Sequence, residues 1–167
     1  MAVESMPFDA YLDVETTGMS HAHSELTVVG VALADPQPYH VYQLVGQQIT
    51  AENLLSILRP VGCVYTYNGS RFDLPFIKAK LGIDLASRFR HVDLMYGCWR
   101  CRLFGGLKAV ERHLGIDRQI KDIDGRMAVE LWWRYVKEND QEALATLLGY
   151  NREDVLNLHF LRSRLGL

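Results

Sequence analysis

The feature that most restricts this chain is an alternation near its start. Across residues 8–15, Phe8, Ala10, Leu12 and Val14 fall on one face of an extended backbone, and Asp9, Tyr11, Asp13 and Glu15 on the other. A helix would scatter both sets around its circumference, so the segment is a predicted strand. Thr17-Gly18 ends it. The apolar face needs cover, and Tyr11 on the acidic face points to a central strand. Asp13 and Glu15 then project together from its C-terminal end, where α/β sheets tend to place their sites. Nothing basic is close in sequence. Like unit charges at about 4 Å repel by roughly 4 kcal/mol at an effective dielectric near 20. A bound cation relieves that repulsion. An exposed edge with solvated acids is the competing reading.

The rest of the chain supplies partners for this strand. Residues 26–33 form a mostly apolar, β-branched run, a predicted buried strand. Asp35-Pro36-Gln37-Pro38 is a turn, and residues 39–44 form a third strand. Short connections predict an antiparallel meander. Thr50 can cap a helix over residues 51–58, stopped by Pro60. A fourth strand covers residues 63–67. Asp73 and Pro75 then sit in the first turn of a helix that ends at Leu81-Gly82. A fifth strand covers residues 89–94. Helices follow over residues 107–114, 126–138 (behind Asp124) and 140–165. Three strands followed by α/β alternation predict an α/β domain over residues 1–167, with one mixed five-stranded sheet flanked by helices.

Composition narrows the class. Apolar residues at 49% and charged residues at 23% exclude disorder, collagen and fibrous coiled coil. The richest apolar run has nine residues, against roughly 20 for a bilayer span. No membrane association is expected. The first seven residues have no basic and apolar regions of a signal peptide. Three cysteines point to a reducing cytoplasm without a disulfide framework. Net charge is −2, unevenly spread. Residues 1–70 hold one basic residue against seven acids; residues 71–126 hold twelve against seven. A metal site beside a phosphate-binding surface would produce this pattern, and so would chance clustering of solvated charge.

Two further signals carry acids. Asn68-Gly69-Ser70-Arg71-Phe72-Asp73 places Asp73 where a strand gives way to a helix. Helix capping would explain Asp73 equally well. Tyr150 and Asp154 are four apart on the last helix, so they stack on one face at the border of an apolar stripe.

Together the three motifs resemble the DEDD superfamily of 3′–5′ exonucleases, which are ribonuclease-H-like domains. The order is Asp-x-Glu-Thr-Thr-Gly, then Tyr-Asn-Gly-x-x-Phe-Asp-x-Pro-Phe, then Tyr-x-x-x-Asp. The Tyr places the chain with the DEDDy type. Residues 65–76 resemble the exonuclease domain of family B DNA polymerases. The C-terminal half resembles the stand-alone YprB-type ribonuclease-H-like domains.

By that resemblance, Asp13, Glu15, Asp73 and Asp154 would hold two divalent ions and Tyr150 would orient the attacking water. Hard oxygen ligands without His suit Mg²⁺ or Mn²⁺. A Tyr with an ordinary pKa near 10 is a poor base at neutral pH, which fits an orienting role. The resemblance also implies substrate contacts from Thr16, Thr17 and Asn68. Lys108, in the basic segment, is a candidate for phosphate. The implied activity is divalent-metal-dependent 3′–5′ hydrolysis of single-stranded DNA or RNA. A non-catalytic nucleic-acid or protein binding module is the alternative, and within enzymes a structure-specific endonuclease. Small size leads us to expect a protein partner that supplies affinity or processivity.

Other signals carry less. Cys98-x-x-Cys101 has no second ligand pair for zinc and reads as packed or free thiols. His21 and His23 read as loop residues. Ala128, Leu131, Trp132 and Tyr135 form a helical stripe suited to the core, and Trp133 falls off it.

Overall fold

The computed structural model describes residues 8–34 and 40–167. Its strands are β1 (Phe8–Thr16), β2 (Leu26–Ala34), β3 (His40–Val45), β4 (Val61–Thr66) and β5 (Arg90–Asp93). They form one sheet in the order β3-β2-β1-β4-β5. β1 is central, as its alternation requires. It pairs antiparallel with β2 and parallel with β4. β2–β3 is antiparallel and β4–β5 parallel. The mixed five-stranded sheet is therefore as expected. The turn expected at 35–38, and Tyr39, lie outside the described residues.

The helices are α1 (Ala51–Leu58), α2 (Asp73–Leu81), α3 (Leu85–Arg88), α4 (Leu94–Arg100), α5 (Leu107–Leu114), α6 (Gly125–Glu138) and α7 (Gln141–Leu165). Side-chain caps start two of them where the sequence suggested, and start α7 as well. Thr50 accepts from the Asn53 amide, Asp124 from Met127 and Asp140 from Ala143. Helices α3 and α4 were not legible, because four and seven residues are too few to show a helical period. The fifth strand also stops earlier than residue 94. Asp93 accepts from the Met95 amide and turns the chain into α4.

The two faces of β1 meet different layers. Ala10, Leu12 and Val14 pack in a core with Leu54 and Leu58 of α1 and Phe76 and Ile77 of α2. Tyr11, on the other face, packs with Leu94 and Cys98 of α4 and Val155, Leu158 and Leu161 of α7. Ala128 and Leu131 of α6 join Leu147 and Tyr150 of α7 in a third cluster. Helix α7 thus covers the acidic face of β1 and decides what each acid meets. Among the described residues no helix is long and apolar enough to cross a membrane.

Candidate active site

The three motifs converge. Ligand oxygens of Asp13, Glu15 and Asp154 lie within 4.8 Å of one another. Asp73 opens α2, but it does not cap that helix: the N-cap position belongs to Phe72. Instead Asp73 Oδ1 accepts the Val14 amide at 3.0 Å. That bond ties α2 to β1 between the two strand acids. All four carboxylates and Tyr150 line one cleft of about 510 Å³, together with Thr16 and Asn68. The register of β1 against β2 shifts between Glu15 and Thr16, a bulge at the rim of the cleft.

The acids are crowded and poorly compensated. Burial pushes Asp13 well above the usual carboxylate range, and the charges of Asp154, Glu15 and Asp73 add to the shift. Glu15 rises for the same reason, through burial and then Asp154 and Asp73. Burial pushes Asp73 up to about 7, against the opposing Val14 amide. Burial pushes Asp154 up to about 6, against the opposing charge of Arg118. Tyr150 is also raised, by burial and then by the neighbouring carboxylates, so its hydroxyl stays protonated at neutral pH. Glu15 Oε1 is buried without a hydrogen-bond partner. A bound cation would satisfy such a buried, unpartnered oxygen in a cluster of like charges.

Sequence reasoning missed the groups that hold these acids in place. Asn151 Nδ2 donates to Asp13 Oδ2 at 3.1 Å, and its Oδ1 accepts from Gln43 Nε2 at 2.9 Å. Gly30 makes room for that bridge. It pairs with Asp13 on one side and Gln43 on the other, and a Cβ there would come within 2.2 Å of Asn151 Oδ1. Arg118 donates to Asp154 Oδ1 and is itself gripped by Glu111. Asp93 accepts from the amides of Asn68 at 2.8 Å and Ser70 at 3.1 Å. It shapes the loop that presents Asn68, whose φ is +60°. The signal for Arg118 and Glu111 was weak, since neither stood out in the basic segment. Asn151, one residue beyond Tyr150, could have been found from its place on the motif helix.

The remaining predicted residues divide. Lys108 lines an adjoining cleft of about 300 Å³, which it shares with Asp13, Tyr150 and Asp154. Its ammonium lies 4.6 Å from the centre of the Tyr150 ring. Thr17 lines neither cleft. Its hydroxyl accepts the Glu25 amide at 2.9 Å and closes the link to β2. Cys98 is buried and Cys101 exposed, and both are free thiols. Arg71 lies over the Tyr96 and Trp99 rings, 6.0 and 5.6 Å from their centres.

A ribonuclease-H-like α/β domain is the class that this sheet and its acid-lined cleft define. The sequence model of the RNase_H_2 family, of the RNase_H superfamily, matches residues 10–166, and the chain belongs to that family. Among particular relatives, the uncharacterized protein YprB of Bacillus subtilis strain 168 is 26% identical over 163 residues. That match covers 89% of this chain and 39% of YprB, so the chain spans well under half of that relative. The family B DNA polymerase of Pyrobaculum calidifontis superposes with a TM-score of 0.72 at 16% identity, over 96% of this chain and 25% of the polymerase. Brucella melitensis NrnC superposes with a TM-score of 0.61 at 22% identity, over 95% of this chain and 71% of NrnC. At these identities the likeness establishes the shared fold.

Proposed function

We propose that this protein is a divalent-metal-dependent 3′–5′ exonuclease acting on single-stranded nucleic acid. The observation that carries the reading is the convergence of carboxylate oxygens from Asp13, Glu15 and Asp154, in a cluster where Glu15 Oε1 is buried without a partner. The donor set fits the metal. The cleft lining offers carboxylate oxygens and neither Cys nor His, which suits Mg²⁺ or Mn²⁺ over Zn²⁺. Solved structures of NrnC include one with bound Mg²⁺ and one with pGG, in line with this choice.

Asp13, Glu15, Asp73 and Asp154 would hold two ions, which when bound supply Lewis acidity at both ends of a phosphodiester displacement. The chain's own groups do the rest. Tyr150, kept protonated, orients the attacking water through its hydroxyl. Asp73 is fixed by the Val14 amide, which holds the acid from α2 against β1 between its two acids. Thr16 and Asn68, which line the cleft, would contact the terminal nucleotide. Lys108 would meet a phosphate from the adjoining cleft. The Arg71, Tyr96 and Trp99 group offers the aromatic and cationic surface that single strands favour.

The test is digestion of end-labelled single-stranded DNA and RNA with Mn²⁺, Mg²⁺ or EDTA, with Asp13→Ala as control. A ladder of mononucleotide steps from the 3′ end, lost with EDTA and in the variant, is expected. Internal cuts would keep the metal site and reject the exonuclease polarity. Metal-independent binding without cleavage would support a non-catalytic module instead.

A further inference from the structure

A fifth carboxylate and a guanidinium stand behind the four acids, and the steps above use neither. Glu111 is 1% exposed and Arg118 is 8% exposed. Arg118 Nε donates to Glu111 Oε2 at 2.5 Å, and Nη2 donates to Glu111 Oε1 at 2.8 Å. The same Nη2 also donates to Asp154 Oδ1. Asn157 Nδ2 steadies Glu111 Oε1 from behind at 3.1 Å. A guanidinium gripped through two nitrogens in the interior cannot swing away when Asp154 takes another partner. Its charge is fixed beside a residue placed to hold a metal.

We propose that Glu111 and Arg118 form a charge pair that sets how strongly this site holds its divalent ions, Arg118 weakening the grip and Glu111 strengthening it. The inference rests on the metal reading above. Arg118 occupies Asp154 Oδ1, which leaves Oδ2 as the oxygen free for an ion. Its positive charge opposes a divalent cation, and Glu111 cancels part of that opposition. Low local dielectric magnifies both effects. Losing the hydrogen bond to Asp154 costs orientation, but the electrostatic change on a doubly charged ion is larger, so it decides the sign. Four unopposed acids would hold ions tightly, and the pair moderates that grip.

Opposite signs are the signature that simple structural damage would not give. Mn²⁺ binding is measured by titration calorimetry on the whole folded chain. Arg118→Gln is expected to bind Mn²⁺ about tenfold tighter, equivalent to about 1.4 kcal/mol. Glu111→Gln is expected to bind it about tenfold weaker, because Arg118 then stands uncancelled. Arg118→Lys keeps the charge and is expected to stay within about threefold of the wild type. Weakening in both neutral variants, or no change in either, would overturn the proposal. If Arg118→Gln does not fold, Glu111→Gln and Arg118→Lys decide it: Glu111→Gln binding as tightly as the wild type sinks it. Failure of the metal reading shows separately, as a wild-type protein that takes up no Mn²⁺ at all.

Discussion

β1 and α7 meet twice, and the two meetings are built from similar residues to opposite ends. At one, Asp9 and Tyr11 face His159 and Arg162. Arg162 Nη1 donates to Asp9 Oδ2 at 2.5 Å and to the Tyr11 hydroxyl at 3.0 Å. The guanidinium also caps the Tyr65 ring, 4.1 Å from its centre. Tyr65 in turn stacks on Tyr11. At the other, Asp13 and Glu15 face Tyr150, Asn151 and Asp154. There α7 brings an amide and another acid, and among the described residues neither strand acid is ion-paired. Asp9 and Asp13 share one face of one strand, so strand geometry does not separate them. What separates them is the side chain that α7 delivers. A closed network stabilises the fold, whereas an open one stores repulsion that a ligand can relieve.

The comparison can be broken by exchanging the roles of its two ends. Asp13→Asn should cost about 10³-fold in cleavage. In the same variant the metal-free protein should melt higher than the wild type, because a repelling charge is gone. A lower melting temperature would mean that Asp13 stabilises the apo fold, as Asp9 does. Tyr150→Phe should slow turnover by about 10²-fold while leaving Mn²⁺ binding intact. Equal loss of both, in parallel kinetics and calorimetry, would make Tyr150 part of the metal's support.

Acidity sharpens the contrast next. Asp73 and Asp154 titrate at about 7 and about 6 in the fold, both raised chiefly by burial. Unfolded carboxylates titrate near 4. Between those values the folded chain holds protons that the unfolded chain has lost, so stability falls as pH rises. The metal-free melting temperature should therefore drop between pH 5 and pH 8, and saturating Mg²⁺ should remove the drop. A flat metal-free profile would show that the cluster is already compensated.

The smallest effect belongs to the closed end. Arg162→Ala should lower stability by about 1 kcal/mol, through the lost ion pair and ring contact. Denaturant titration measures the loss, and cleavage by the folded variant should match the wild type. A catalytic defect would show that the two meetings are coupled along α7.

Much of this was legible in the sequence because it is local. Period two identified β1 and put Asp13 and Glu15 on one side of it. Spacing of four put Tyr150 beside Asp154. Capping residues Thr50 and Asp124 marked two helix starts that the structure shows. Such features depend on backbone geometry within a few residues, so the chain carries them before any packing occurs. The partners of those acids were a different matter. Local sequence left Asp73 open between a helix cap and a site residue, and only the approach of β1 shows what its carboxylate meets. Arg118 is 36 residues from Asp154, and Gln43 is 108 from Asn151. Gly30 matters because of the register that sets it between Asp13 and Gln43. The sequence by itself determined which carboxylates could meet. Only the tertiary structure decided which of them would be neutralised, because that turns on how α7 and the strands pack, and contacts between distant segments leave no periodic trace in the chain.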